Sequence, residues 1–441
     1  MADFAISSSP QVQAQLDRLW ALSPGADILG LERITRLLAR LGNPHKALPP
    51  IFHVAGTNGK GSTCAYLRAA MEAAGLRCHV YTSPHLVNFN ERIRLAGTLI
   101  TDKALAPLLG EVLDIAEGIG PSFFEVTTAA AFLAFSRIPA DACIIEVGLG
   151  GRLDATNVLG RPIATGIAQL GVDHQSFLGN SIEEIAAEKA GIAKAATPLV
   201  TLKYPPEVDQ IIRQRAAEAG SPVVVQGEHW QSRVSRAALH YEDGYGTVKT
   251  ALPRLVGAHQ AGNLALAIAM LRHQTVLNIP QAAYRAAAEW VEWPARMQRL
   301  SPGPLTRLLP EGSNLWLDGG HNAAAADAIS AALKVQAGTR PVHLVLGMLA
   351  NKDARGLLRP FASIARSVQA VPVPGHEHHT PATLAALANG LGLHGTPAQN
   401  VAAALSAIAQ RADPVEPPVV LILGSLYLAA TALAANGQIP S

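Results

Sequence analysis

His53-Val-Ala-Gly-Thr-Asn-Gly-Lys-Gly-Ser-Thr63 carries an apolar run into a glycine-rich turn and out into a helical pattern. That order is the geometry of a phosphate cradle. Gly56, Gly59 and Gly61 let backbone N–H groups converge on an anion without Cβ clashes, and the N-terminus of the following helix adds partial positive charge. Lys60 can reach terminal phosphates, and a hydroxyl at Ser62 or Thr63 can ligate Mg²⁺. The spacing departs from the pattern G-x-x-x-x-G-K-[ST], because only two residues separate Gly56 from Gly59 and a glycine follows the lysine.

Working outward, short β-rich apolar runs alternate with longer Ala/Leu-rich helical patterns, which predicts βαβ units on a mainly parallel sheet. Strands are expected at 51–55, 77–82, 142–147, 163–168 and 198–201, with helices near 61–75, 126–136, 181–195, 206–219, 260–277 and 280–291. Residues 223–250 read as a small β-hairpin insertion. The Pro/Gly-rich passage 301–313 suggests a domain boundary, after which the pattern restarts with strands at 314–318, 341–347, 366–371 and 418–423. Helices are expected near 323–335, 354–364, 381–390, 398–412 and 426–435. The fold class is therefore α/β: an N-terminal domain over 1–298 with a P-loop-type mainly parallel sheet, a linker at 299–313, and a smaller Rossmann-like domain over 314–441.

The 441 residues are 49% apolar and 15% charged, with a net charge of +2 and no basic run. Such a chain buries a sizeable core and carries no electrostatic footprint for nucleic acid, so a phosphate-bearing partner is expected to be a small molecule. The first twenty residues lack a basic region followed by an uninterrupted apolar stretch, which predicts a cytoplasmic protein. Cys64, Cys78 and Cys143 form no CxxC pair, so neither disulfides nor a zinc site is expected. The apolar stretch 419–435 is short and broken by Gly424-Ser425, so it reads as a buried strand turning into a helix and not as a membrane span.

The order G-T-N-G-K-G-S after a strand resembles the nucleotide loop of the Mur-ligase superfamily, and more narrowly that of folylpolyglutamate synthases and dihydrofolate synthases. Further similar elements follow in the same order. They are Thr82-Ser-Pro-His-Leu86, Glu91-Arg-Ile93, Phe123-Phe-Glu125, Glu146-Val-Gly-Leu-Gly-Gly-Arg-Leu-Asp-Ala-Thr-Asn157, Asp173-His174, Glu188-Lys-Ala-Gly-Ile192, Asp318-Gly-Gly-His-Asn322 and Gly347-Met-Leu. The resemblance spans about residues 28 to 428.

It implies a ligase that activates a folate-type carboxylate with ATP as an acyl phosphate and joins it to L-glutamate, as a bifunctional dihydrofolate and folylpolyglutamate synthase and as a monomer. The 1–298 domain would then bind ATP and the pterin, and 314–441 would be the glutamate-ligase domain. Thr57, Asn58, Gly59, Lys60, Gly61 and Ser62 would hold the nucleotide, with Asn263, Arg296 and Asp318. Two Mg²⁺ ions would be bound by Ser83, Glu146, His174 and Lys189, a set whose carboxylate, hydroxyl and neutral imidazole are hard ligands. By pattern alone Lys189 beside Glu188 reads as an exposed ion pair. The resemblance implies instead a lysine carboxylated by CO₂, which requires a neutral amine. Lys60, Lys189, His174 and His321 are the expected catalytic residues.

Phe123, Phe124 and Glu125, with Arg152, Leu153, Asp154 and Ala155, resemble the pterin-side surface, where aromatic faces stack and carboxylates accept from ring N–H groups. Taken alone, the Phe pair reads as core. In the Asp318 element glycine replaces the usual alanine, and alanine follows Asn322 where proline is common, which leaves Asp318 and His321 intact. Four other readings remain: a synthase acting only on reduced folates, a Mur-type cell-wall ligase, whose extra N-terminal domain the roughly 50 residues before the loop do not accommodate, a nucleotide-binding switch, and an enzyme that only hydrolyses ATP.

Overall fold

The computed structural model describes residues 7–22, 29–413 and 415–440. They fall into two compact units, one running to Arg254 and resuming over Gln260–Glu292, the other made of Leu255–His259 and the chain from Trp293 onward.

The first unit is built on an eight-stranded sheet. Its strands are β1 (Ile51–Ala55), β2 (Cys78–Tyr81), β3 (Ile93–Leu95), β4 (Thr98–Leu99), β5 (Ala142–Glu146), β6 (Ala164–Ile167), β7 (Leu199–Thr201) and β8 (Val223–Val225). Their spatial order is β4-β3-β2-β5-β1-β6-β7-β8. Every pairing from β2 across to β8 is parallel, and the short β3 and β4 add antiparallel at one edge. β1 and β5 lie side by side at the centre and are buried along their whole length, which explains why IFHVA and ACIIE read as nearly continuous apolar runs. The helices Pro10–Leu22, Glu32–Arg40, Asp102–Ile115 and Phe123–Arg137 contribute to one core cluster, with Leu16, Leu37, Leu109 and Phe132 fully buried.

Three further strands, β9 (Trp230–Val234), β10 (Ala238–Asp243) and β11 (Gly246–Ala251), form a separate antiparallel sheet. The expected hairpin at 223–250 is therefore two things. Val223–Val225 joins the main sheet as its edge, and only the chain from Trp230 forms the insertion.

The second unit holds a six-stranded sheet of β12 (Gln298–Arg299), β13 (Asn314–Leu317), β14 (Val342–Leu346), β15 (Ala365–Ala370), β16 (His394–Pro397) and β17 (Val419–Leu423). The order is β12-β13-β17-β14-β15-β16, parallel throughout except for β12. The expected linker at 299–313 is instead an integral part of this unit. Gln298–Arg299 extends the sheet, Leu300 N–H donates to Leu315 O at 2.9 Å, Leu305 N–H donates to Asn436 Oδ1 at 3.0 Å, and Leu305 and Leu309 are buried. Proline and glycine there shape a packed turn, and the unit's main run of chain starts at Trp293, after its separate segment Leu255–His259.

Residues 419–435 are β17, Gly424 in the left-handed region at φ 107°, and the helix Leu426–Ala435 whose N-cap is Ser425. No helix among the described residues is long and apolar enough to cross a membrane.

Candidate active site

In the first unit the expected residues gather at the carboxyl ends of four adjacent parallel strands, β2, β5, β1 and β6, the edge where open α/β sheets place ligands. Ser83 follows β2, Glu146 ends β5, the Lys60 loop follows β1, and Asp173-His174 follows β6.

The loop is braced from behind. Thr57 and Asn58 N–H both donate to Gln169 O, at 2.9 and 3.1 Å, and Thr57 Oγ1 donates to Gly171 O at 2.8 Å. These two N–H groups are therefore spent on the loop itself, and the donors left for an anion belong to the start of the helix Lys60–Ala73. Its N-cap is Gly59, at φ 82° and without a side-chain cap, so the N–H groups of Lys60, Gly61 and Ser62 have no intrahelical acceptor. A Cβ at Gly59 would lie 2.5 Å from Asn263 Oδ1, so glycine is required both for the conformation and for the approach of that buried amide. Asn263 is held by Gln260, whose Oε1 accepts from Asn263 Nδ2 at 3.1 Å. Lys60 Nζ folds back onto Gly56 O at 3.0 Å and Thr57 O at 3.3 Å.

Glu146 is buried, and Ser83 N–H donates to its Oε2 at 3.3 Å, so strand-end carboxylate and serine sit together. His174 is half-buried in the left-handed region at φ 53°, with its N–H on Asp173 Oδ1 at 2.8 Å. Among the described residues no three His, Cys, Asp or Glu side chains form a ready cage for a metal. The donor set nonetheless fits a divalent cation held by part of a hard-ligand shell, with the remaining positions left to phosphate oxygens and water.

Lys189 is not an exposed ion pair. It is 4% exposed, and Glu188 pairs instead with Arg152, Arg152 Nη2 to Glu188 Oε1 at 2.8 Å. Burial, and next the nearby Lys60 charge, push the Lys189 amine down to about 7, against the pull of Asp173, Asp154 and Glu188. The amine is thus substantially neutral near physiological pH. Arg152 N–H also donates to Glu188 O at 2.8 Å, which ties the 148–152 turn to the lysine's helix.

The residues expected on the pterin side divide. Phe124 is half-buried, and its ring fills the space a Cβ at Gly148 would take, next to Glu146 and its turn. Phe123 is core: it stacks on Trp20 at 5.0 Å and meets Phe89 edge-on at 6.1 Å. Glu125 is committed to structure, its Oε2 accepting from Ser122 N–H at 2.6 Å and Arg33 Nε at 2.9 Å, while Oε1 is buried with no hydrogen-bond partner among the described residues. Asp154 is buried as the cap of the short helical turn Ala155–Val158, with its pKa raised by that burial. Leu153 is half-buried, Ala155 buried and Arg152 exposed.

In the second unit Asp318 follows β13 and is buried, accepting from Met297 N–H and Gly320 N–H, both at 2.7 Å. Burial raises its pKa, and Arg296 opposes the shift. Arg296 is flanked by Ala295 and Met297, both at positive φ, and its Nη1 donates to Ala295 O at 2.9 Å. His321 is half-buried with Nδ1 3.0 Å from Gly319 O, and Asn322 caps the helix Ala323–Ala337. His259 belongs to this cluster as well: burial lowers its pKa, and the Asp318 charge pulls it the other way. Sequence reasoning missed Gln169, Asp173, Gln260 and His259 as site residues. Asp173 had a signal as the neighbour of His174, and His259 and Gln260 as neighbours of Asn263 in the run His259-Gln-Ala-Gly-Asn263; Gln169 acts through its carbonyl, which any residue carries.

Residues 54–271 match the Mur ligase middle domain, and residues 297–426 match the Mur ligase, glutamate ligase domain. The dihydrofolate synthase/folylpolyglutamate synthase of Bacillus subtilis (strain 168) is 35% identical over 357 residues, covering 77% of this chain and 80% of that protein. Among solved structures, Escherichia coli FolC in complex with DHPP and ADP is similar with a TM-score of 0.86 at 32% identity, covering 97% of both chains. A bifunctional folylpolyglutamate synthase/dihydrofolate synthase with Mn, AMPPNP and L-glutamate bound gives a TM-score of 0.84 at 32% identity, covering 97% of this chain and 98% of that one.

Proposed function

The chain belongs to the dihydrofolate synthase/folylpolyglutamate synthase family of Mur ligases, and on that premise we propose that it joins L-glutamate to dihydropteroate and to reduced folates, using ATP to form an acyl phosphate. The observation that carries this reading is the meeting of Ser83, Glu146, the Lys60 loop and Asp173-His174 at the ends of four neighbouring strands, with the buried amine of Lys189 beside them.

A carboxylate does not acylate an amine at neutral pH, so ATP supplies the driving force. The substrate carboxylate attacks the γ-phosphorus, and ADP leaves. Lys60 and the N–H groups of Lys60, Gly61 and Ser62 absorb the negative charge that spreads over the transferring oxygens. Lys60 must turn from Gly56 O and Thr57 O to do so, an exchange of two neutral acceptors for an anionic one. The glutamate amine then attacks the acyl carbon, and inorganic phosphate departs from the tetrahedral intermediate. Ser83, Glu146 and His174 would hold Mg²⁺, which supplies charge neutralisation at the phosphates. The neutral Lys189 amine would add CO₂ and lose one proton, turning a neutral group into an anionic carbamate that would serve a second ion. Within the second unit, Asp318, Arg296 and His321 are the residues proposed as nucleotide contacts.

The test is phosphate release by the purified protein with ATP, Mg²⁺ and glutamate, comparing dihydropteroate, tetrahydrofolate and no acceptor, with mass detection of products. Dihydrofolate formed from dihydropteroate, plus a further glutamate on tetrahydrofolate, is the expected result. Product from tetrahydrofolate alone reduces the assignment to folylpolyglutamate synthase, and release without either acid removes the ligase reading.

A further inference from the structure

Beneath the 148–157 turn runs a chain of buried polar groups that begins on β1. His53 sits at the middle of that strand with no exposed surface, between Ile145 of β5 and Thr165 of β6. Its Nε2 is 2.9 Å from Thr156 Oγ1. The Thr156 hydroxyl donates to Asp154 Oδ1 in a short contact, and Thr156 N–H donates to the same oxygen at 3.0 Å. Leu149 N–H donates to Asp154 Oδ2 at 2.8 Å, which returns the chain to the turn.

A hydroxyl has one proton. Because Thr156 gives it to the carboxylate, Oγ1 acts as acceptor toward His53, and the imidazole must carry its own proton on Nε2. Nδ1 is then a bare acceptor, buried with no hydrogen-bond partner among the described residues. Burial drives the imidazole's pKa down to about 3, so it stays neutral and serves as a donor rather than a charge. An apolar residue would suit this central strand better on packing grounds, since the unmet nitrogen costs free energy. What the histidine provides is direction: its proton sets which way Thr156 points, and Thr156 sets Asp154.

We propose that His53 is a positioning residue for the acid substrate, holding the 148–157 turn through Thr156 and Asp154 and so linking the strand that feeds the Lys60 loop to the turn that receives the pterin acid. This rests on the ligase reading. The Lys60 loop has its own braces in Gln169, Gly171 and Asn263, so breaking the chain at Thr156 loosens the turn and spares the nucleotide site.

The test compares Thr156→Val, Thr156→Ser, His53→Gln and His53→Leu in the full-length protein, with ATP and dihydropteroate varied separately. Nitrogen-15 spectra of the histidine rings are recorded without substrate. The expected result is a neutral His53 protonated on Nε2. Thr156→Val should raise KM for dihydropteroate about tenfold and leave KM for ATP within about twofold, with Thr156→Ser close to the wild type. His53→Gln, which keeps a donor, should outperform His53→Leu. An Nδ1-protonated ring, equal shifts in both KM values, or a Ser variant as impaired as the Val variant overturns the proposal. A wild-type protein that turns over neither acid overturns the ligase reading and the substrate half of this inference together. The ring spectra distinguish that outcome, because they report the hydrogen-bond chain with no substrate present.

Discussion

The Lys60 loop and the Ser122–Glu125 turn both open a helix, and they spend their polar groups in opposite ways. At the first, the N-cap is a glycine with no capping side chain, and the leading N–H groups face the carboxyl edge of the sheet unmatched within the helix. At the second, Ser122 and Glu125 form a complete capping box, and Arg33 completes an ion pair with the same carboxylate. A helix start left open at a sheet edge awaits an anion; one closed by its own side chains is finished structure. That difference gives Glu125 a framework role of its own, besides the place on the substrate surface that its motif implies.

The largest effect expected from this contrast is on turnover. Lys60→Met should lower the rate of acid-dependent phosphate release by about 10²–10³-fold with the melting temperature preserved, since the lysine's hydrogen-bond acceptors among the described residues are two loop carbonyls. A Lys60→Met protein that melts early, or that turns over normally, breaks the contrast. Lys189 gives the next effect, on the pH dependence of stability. Its folded value of about 7 lies below the ordinary 10.5, so between those limits the unfolded chain holds a proton that the folded one has released. Stability therefore rises as pH climbs from 7 toward 10.5, and the penalty is fully present below 7. Urea unfolding in CO₂-free buffer across that window should show the rise, and Lys189→Met should flatten it.

Glu125→Ala should cost about 1–3 kcal/mol of stability through the lost cap and the lost ion pair with Arg33. Glu125→Gln should recover much of that, because glutamine also completes a capping box. A Glu125→Gln enzyme of wild-type stability but sharply raised KM for dihydropteroate would mark this residue as a substrate contact too. The smallest effect belongs to Arg152→Ala. The guanidinium is 53% exposed in its pair with Glu188, so the loss in thermal unfolding should stay under about 1 kcal/mol. A raised KM for the acid without a stability change would mark Arg152 as a substrate contact.

Sequence alone determined much of the order of elements, because the signals are local: β-rich runs such as ACIIE, helical spacing such as that of 206–219, and glycines where the chain must turn. It did not show the helices Pro10–Leu22, Glu32–Arg40 and Asp102–Ile115, or the short strands Ile93–Leu95, Thr98–Leu99 and His394–Pro397. It also determined the Lys60 loop, whose chemistry lies in backbone donors and one lysine within a few residues of each other. It did not separate Phe123 from Phe124, or an exposed Lys189 from a buried one. Those depend on what lies across space: Trp20 against Phe123, Gly148 under Phe124, and Arg152 drawing Glu188 away from its sequence neighbour. The role of 301–313 was likewise decided by Asn436, more than a hundred residues away, which receives the Leu305 N–H. Local conformational preference is written in neighbouring residues, whereas burial, pKa and the choice of hydrogen-bond partner arise only when distant segments exclude water together.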